Sequence, residues 1–140
     1  MLDRLEIRDK RYLEDLEEYL KALLKDKNVV AILLYGSLSK GLAKFYPESD
    51  IDLLIVAKEL PKNLIERRFK ALKLKKKRPM AIEDIWLTPK ELIDGIEGGW
   101  GIILDALADG ITIYDPENIL KTTRETVKKK YKRIGRVWIL

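Results

Sequence analysis

Hydrophobic residues follow a helical period at the start of this 140-residue chain and strand-like patterns after it. Between residues 3 and 27, leucine and tyrosine recur every three or four positions with charges between them, which predicts an amphipathic helix. Apolar runs rich in branched side chains predict two buried strands, over residues 29–35 and 50–57. A third strand is predicted over residues 80–87, and a loop over 36–49 separates the first two strands.

The second half of the chain predicts short helices with marked ends. Thr88, Pro89 and Glu91 have the spacing of a capping box, so a helix should begin there, and Gly95 should break it. Gly110 should end a second helix. The other predicted elements are helices over 61–76, 102–108 and 116–132, a strand over 111–114, and an apolar tail over 137–140 that is a strand or a partner contact. Because strands and helices alternate, the predicted class is α/β (α+β), and the length predicts a single domain over residues 1–140.

Composition removes several kinds of chemistry. The chain has no cysteine, which excludes disulfides and thiolate metal sites, and no histidine, which excludes Ser-His-Asp catalysis and histidine-bound zinc. Any catalysis must therefore use carboxylates, lysine, tyrosine, serine or a bound metal. No apolar run approaches the ~20 residues that span a bilayer and no signal peptide is visible, so we expect a cytoplasmic protein without membrane contact.

Charge adds a weaker indication. Charged residues make up 36% of the chain, against about 25% in an average protein, and the abundance of lysine and glutamate is typical of a thermophile. The net charge of +5 is compatible with a polyanionic ligand. Much of it lies in the basic run over residues 73–78, which we interpret as a solvated helix end or loop, so nucleic acid as a partner stays open.

Two carboxylates near the start of the second predicted strand are the main candidate site. Asp50 and Asp52 share one face of the strand, because successive side chains point to opposite faces. Asp52 interrupts an apolar segment, and burying an unpaired carboxylate costs several kcal/mol. A hard cation such as Mg²⁺ between the two acids removes that cost. Gly36 and Ser37, at the end of the first strand, would let a ligand approach the backbone closely.

A third acid should come from a neighbouring strand, where Glu83 and Asp84 are adjacent and must face opposite sides. If Ile85 and Leu87 mark the core face, Glu83 points inward and Asp84 outward. This pleat argument favours Asp84 as the third ligand and leaves Glu83 as the alternative.

The combined motif Gly36-Ser37-x3-Gly41-x7-Ser49-Asp50-x-Asp52 resembles the signature of the DNA polymerase beta-like nucleotidyltransferase superfamily, in particular its minimal nucleotidyltransferases. The resemblance implies a short mixed β-sheet flanked by helices. It also implies two Mg²⁺ ions and an NTP substrate, with ATP as the expected nucleotide. The implied catalytic and metal-binding residues are Asp50, Asp52 and Asp84, and the implied nucleotide-binding residues are Gly36, Ser37, Lys40 and Ser49.

The chain departs from the family pattern in one short segment. Ser39 and Lys40 stand where small members commonly carry Ala-Arg, and the loop from Gly41 to Ser49 is longer than in the compact pattern. Lys40 keeps the positive charge as a point donor instead of a bidentate one. The acids of the motif are unaffected by either change.

The resemblance implies transfer of an NMP from an NTP to an acceptor hydroxyl with release of pyrophosphate. The acceptor stays open: because the chain has little room for a further substrate-binding domain, a small molecule or a partner protein is favoured. The alternative is an antitoxin-type or regulatory binding module that pairs with a HEPN-like protein and has little or no turnover. An inactive member of the fold and a DxD glycosyltransferase are disfavoured, and a homo-oligomer stays open.

Overall fold

The computed structural model describes residues 7, 9–44, 46, 49–75 and 82–140. The helices are α1 Lys10–Leu24, α2 Gly36–Ser39, α3 Leu64–Leu74, α4 Pro89–Glu97, α5 Gly101–Asp109 and α6 Ile119–Lys130. The strands are β1 Val29–Tyr35, β2 Ile51–Ala57, β3 Ile82–Leu87, β4 Ile111–Tyr114, β5 Lys132–Ile134 and β6 Val137–Ile139.

Four of the strands form one mixed sheet in the order β3-β2-β1-β4. β1 pairs antiparallel with β2 and β4, whereas β2 and β3 are parallel, with α3 as the crossover between them. β5 and β6 form a separate antiparallel hairpin. A short mixed sheet flanked by helices is the architecture expected above.

Both faces of the sheet are covered, which explains the nearly continuous apolar runs of its central strands. One face packs against α1 and α3, with Leu16 and Ile55 among its buried residues. The other face packs against α4, α5 and α6, with Leu54 and Leu104 among its buried residues. The two layers therefore use alternate residues of the same strands, and the second layer is the one from which the site projects.

Most predicted elements are present, with different ends. β1 and β4 have the predicted bounds, whereas α1 begins at Lys10 because the carboxylate of Asp9 caps it by accepting from the Arg11 amide. Residues 3–6 and 8 of the first predicted helix lie outside the described residues, as do residue 76 of the helix over 61–76 and residues 80 and 81 of the third strand. α3 begins at Leu64 and not at residue 61, because the Asn63 side chain caps it by accepting from the Ile65 and Glu66 amides.

The C-terminal part differs more. α6 begins at Ile119 and not at residue 116, because the Asp115 carboxylate accepts from the amides of Leu120 and Lys121 and holds a turn before the helix. The capping box of α4 is confirmed, but Gly95 lies inside that helix and does not break it. The short helix α2 and strand β5 were not predicted, and the apolar tail forms β6 of the hairpin. No helix in the described part of the chain has the length and apolar character needed to cross a membrane.

Candidate active site

Three acids lie at the edge of the sheet where β1 ends and β2 and β3 begin. Asp52 is paired in register with Glu83 on the parallel strand β3 and with Tyr35 on β1, so these three side chains share one face of the sheet. Asp50 is exposed and immediately precedes β2, two residues before Asp52. The sheet register therefore brings Asp52 and Glu83 together and keeps Asp50 next to them.

Among the described residues, the charge at this edge of the sheet is negative and has no positive partner. Burial, then the charges of Glu83 and Asp50, raise the pKa of Asp52 to about 6. Burial, then the charge of Asp52, raises the pKa of Tyr35 to about 12. Within the described residues, the side chains of Asp50, Asp52 and Glu83 make no hydrogen bond or ion pair. A cation bound at this edge would offset their mutual repulsion.

Gly36 brings the backbone against the carboxylate of Asp52. Its φ of +77° is in the left-handed region, and a Cβ atom built on it would overlap Oδ2 of Asp52. Ser37 follows on the short helix α2, and its backbone carbonyl accepts from the amides of Lys40 and Leu42. The Gly36–Ser37 turn and Asp52 therefore form one compact unit.

Lys40 and Ser49, the other two predicted nucleotide-binding residues, are already engaged. The Lys40 ammonium is exposed and lies 3.8 Å from Oδ2 of Asp109 at the end of α5. Ser49 is 7% exposed; its hydroxyl accepts from the Lys44 amide at 2.7 Å and its own amide donates to the Tyr12 hydroxyl at 3.0 Å. Ser49 thus closes the loop before β2, whereas Lys40 remains on the surface beside the turn.

Asp84 points to the opposite face of the sheet from Asp52, which contradicts the pleat argument. It is paired in register with Leu53, and its carboxylate accepts from Lys75, Trp86 and the Tyr19 hydroxyl. Helices cover both faces of this sheet, so the alternation of apolar residues along β3 does not identify an outward side. Glu83, the alternative, is the acid that lies beside Asp52.

Carboxylate oxygens are the ligands that Mg²⁺ prefers, and the acids at this edge lack a positive partner in the described part of the chain, so the donor set fits such an ion. In residues 7, 9–44, 46, 49–75 and 82–140, no group of three or more acid, histidine or cysteine side chains is arranged to hold a metal by itself. Mg²⁺ at phosphate-transfer sites is bound by one or two carboxylates together with the phosphates of the substrate, so the fit applies to the acids with a bound NTP. The sequence predicts Asp50 and Asp52 as metal ligands and leaves Glu83 as the alternative third acid; the structure places these residues at one edge of the sheet. The positions of Tyr35 beside Asp52 and of Asp109 beside Lys40 follow from the strand register and from α5, and no local sequence pattern indicates them.

Comparison with known proteins identifies the class. The family model described as polymerase beta nucleotidyltransferase matches residues 17–119, which include the turn, Asp52 and Glu83. The chain belongs to this family and is a nucleotidyltransferase. It is 33% identical over 116 residues to a protein of Methanocaldococcus jannaschii named "Putative protein adenylyltransferase MJ1305", covering 80% of this chain and 76% of the relative.

Solved structures show the same fold. A crystal structure named as that of a "putative nucleotidyltransferase" from Sulfolobus solfataricus has a TM-score of 0.51 at 20% identity, covering 76% of this chain and 83% of that one. A toxin–antitoxin structure with AMP-PNP has a TM-score of 0.55 at 15% identity, covering 81% and 83%. The predicted family and α/β class are therefore confirmed.

Proposed function

We propose that this nucleotidyltransferase moves an NMP from an NTP, with ATP as the first nucleotide to test, to a hydroxyl of a partner protein in an Mg²⁺-dependent reaction in the cytoplasm. The observation that carries the proposal is the position of Asp52 beside Glu83, with Asp50 adjacent and the Gly36–Ser37 turn against Asp52. In the described part of the chain these acids have no positive partner, and such acids beside a tight glycine turn suit a triphosphate and its cations.

Each residue has a distinct role in this scheme. Asp50 and Asp52 would hold the metal ions, with Glu83 as the third ligand in place of Asp84. Bound Mg²⁺ supplies charge neutralisation of the phosphates and polarisation of the reacting oxygens. Gly36 and Ser37 orient the triphosphate, and Lys40 lies near enough to the turn to add a positive charge. Glu83, on the edge strand β3, accepts the proton of the entering hydroxyl.

The acceptor is proposed from two likenesses. The Methanocaldococcus relative is named as a protein adenylyltransferase, and a structural neighbour is a toxin–antitoxin. Both support a protein acceptor, for which a HEPN-like protein is the first candidate.

A binding module with little turnover is the second candidate, and the C-terminal hairpin favours it. Four apolar side chains there are 45% to 80% exposed, an arrangement typical of a contact surface. They are Ile134, Val137, Ile139 and Leu140.

The test is transfer of label from an NTP carrying ³²P at the α-phosphate to a candidate partner in Mg²⁺. Label from the α-position should appear on the partner, whereas label from the γ-position should not. Asp52→Asn and Glu83→Gln should each abolish transfer, and Glu97→Gln, which changes an exposed acid of α4, should not. Stable binding of the partner without transfer by the wild type would support the binding module instead.

A further inference from the structure

We propose that Lys75 and Asp84 are positioning residues that hold Glu83 in place from the opposite face of the sheet. This inference rests on the proposed role of Glu83. The Lys75 ammonium donates to the backbone carbonyl of Ile82 and to Oδ1 of Asp84, both at 2.9 Å. The Lys75 ammonium therefore contacts both Ile82, which precedes Glu83, and Asp84, which follows it.

The contact is buried and has further partners. The side chains of Lys75 and Asp84 are 4% and 8% exposed. Oδ2 of Asp84 accepts from the Trp86 indole at 2.9 Å and from the Tyr19 hydroxyl of α1. The Lys75 ammonium also lies 5.5 Å from the centre of the Tyr19 ring. Two helices and the strand thus meet at this one carboxylate.

Because successive side chains of a strand point to opposite faces, the contact of Lys75 on one face also fixes the direction of Glu83 on the other. Residues 82 and 84 of a strand fix the backbone on both sides of residue 83, whose side chain then leaves on the other face, beside Asp52. β3 is the edge strand of the sheet and pairs with β2 on one side. The Lys75 contact supplies a second anchor that an edge strand otherwise lacks.

Stability alone does not account for this ion pair. Removing two charges from water costs several kcal/mol per ion, and replacing a buried pair by apolar residues is often neutral or stabilising. Orienting Glu83 as a metal ligand gives this buried ion pair a role other than stability. Loss of groups that orient metal ligands typically costs about 10–100-fold in metal affinity or activity.

Lys75→Met tests the proposal; the matched control is Lys73→Met, which changes an exposed lysine in the last turn of α3, the helix that Lys75 caps. Turnover in the label-transfer assay should fall by at least about tenfold in Lys75→Met, and half-maximal rate should need at least about tenfold more Mg²⁺. KM for the NTP should stay within about twofold, since Gly36 and Ser37 are untouched. Mn²⁺ binding by electron paramagnetic resonance should weaken by at least about tenfold, and Lys73→Met should match the wild type throughout.

Three results would overturn the inference. The first is a folded Lys75→Met with a lower melting temperature but unchanged Mn²⁺ affinity and metal requirement, which would show a structural role alone. The second is loss of turnover in Asp84→Asn together with retained turnover in Glu83→Gln, which would make Asp84 the third acid. If Lys75→Met does not fold, Tyr19→Phe removes one hydrogen bond from Asp84 and should weaken Mn²⁺ binding by about fivefold. Unchanged Mn²⁺ binding in Tyr19→Phe is the third result that would overturn the inference.

The Mn²⁺ measurement also separates this inference from the proposed function. A wild type that transfers no label yet binds Mn²⁺ more tightly than Lys75→Met would leave the positioning role standing and remove the proposed reaction. Label transfer with equal Mn²⁺ affinity in both proteins would do the reverse.

Discussion

Gly36 lies so close to Asp52 that a Cβ atom at position 36 would overlap the Oδ2 atom of the carboxylate. The backbone of Gly36 also has a φ of +77°, which side chains other than glycine rarely adopt. Glycine is thus required at position 36 for two independent reasons: the left-handed backbone of the turn and the close approach of the Asp52 carboxylate. It links the proposed phosphate-binding turn directly to the proposed metal ligand.

Gly36→Ala should therefore abolish activity while leaving most of the protein folded. The added methyl group must displace the Asp52 carboxylate, and the left-handed backbone adds about 1–2 kcal/mol of strain. We expect a loss of at least about 100-fold in label transfer, since a misplacement of ~1 Å can cost that much. Circular dichroism at the assay temperature should still report a folded chain.

Gly135→Ala separates strain from overlap. Gly135 has a φ of +60° in the turn of the β5–β6 hairpin, and nothing lies within 4 Å of a Cβ built there. Gly135→Ala should lose about as much stability from backbone strain as Gly36→Ala, and its rate of label transfer should match that of the wild type. Equal rates in the two alanine variants would show that the contact with Asp52 does not matter for the reaction.

Arg67 should be the most costly single truncation on α3. Its side chain is 8% exposed and pairs with both carboxylate oxygens of Glu91. It also donates to the backbone carbonyls of Pro61 and Trp86. Arg67→Ala removes a donor from each of these acceptors, although Oε1 of Glu91 keeps the Thr88 amide. We therefore expect a loss of about 3 kcal/mol in the free energy of unfolding, measured with urea.

The neighbouring Arg68 is the control for that experiment. It has the same side chain on the same helix but is exposed. Arg68→Ala should change the free energy of unfolding by less than about 0.5 kcal/mol. If both variants lose the same stability, the charge of α3 and not the buried Arg67 contact would be the cause.

The elements that sequence predicted best are those whose own residues determine them. β1 and β4 are short branched runs between polar breaks, and the capping box of α4 is a local reciprocal pair, so each could be read without tertiary information. α6 shows the limit. Its start depends on the Asp115 carboxylate, which reaches forward to amides five and six residues on, and the Asp-Pro dipeptide before the helix does not reveal this.

For the candidate site, sequence indicates the local placement of residues but not the placement that depends on strand pairing. Asp50 and Asp52 lie two residues apart, so the period of a strand suffices to place them together. The choice between Glu83 and Asp84 depends on register and on which face of β3 is covered. Because helices cover both faces, Ile85 and Leu87 pack on one side while Ile82 and Trp86 pack on the other, and alternation does not identify an outside.

The contact of Asp109 with Arg133 should make stability depend on pH. The two hydrogen bonds from Arg133, at 2.6 and 2.7 Å, hold the pKa of Asp109 below its ordinary value of 3.8. Because the pKa is lower in the folded chain, the stabilisation is complete above the unfolded value and is lost as pH falls through the folded one. Asp109→Asn should cost about 1 kcal/mol at pH 7 by urea unfolding.

That difference should shrink once pH falls below the ordinary Asp pKa of 3.8, because the unfolded chain then takes up a proton that the folded chain binds only at lower pH. Asp94→Asn is the control: it removes an exposed ion pair with Lys90 within α4 and should cause no measurable loss of stability at pH 7 or at pH 3. A cost for Asp109→Asn that stays constant from pH 7 to pH 3 would mean that packing, and not the ion pair, carries the effect.

Ser37 and Ser49 should respond differently to alanine, although the sequence motif assigns both to nucleotide binding. Within the described residues the Ser37 hydroxyl makes no hydrogen bond, whereas Ser49 is buried and its hydroxyl accepts from the Lys44 amide. Ser37→Ala should raise KM for the NTP by about tenfold, the equivalent of a hydrogen bond to a charged group, with little change in melting temperature. Ser49→Ala should instead lose about 1–2 kcal/mol of stability, because the Lys44 amide is left without its acceptor. Steady-state kinetics and thermal unfolding of the two variants check this, and a tenfold rise in KM in a fully folded Ser49→Ala would return that serine to the nucleotide site.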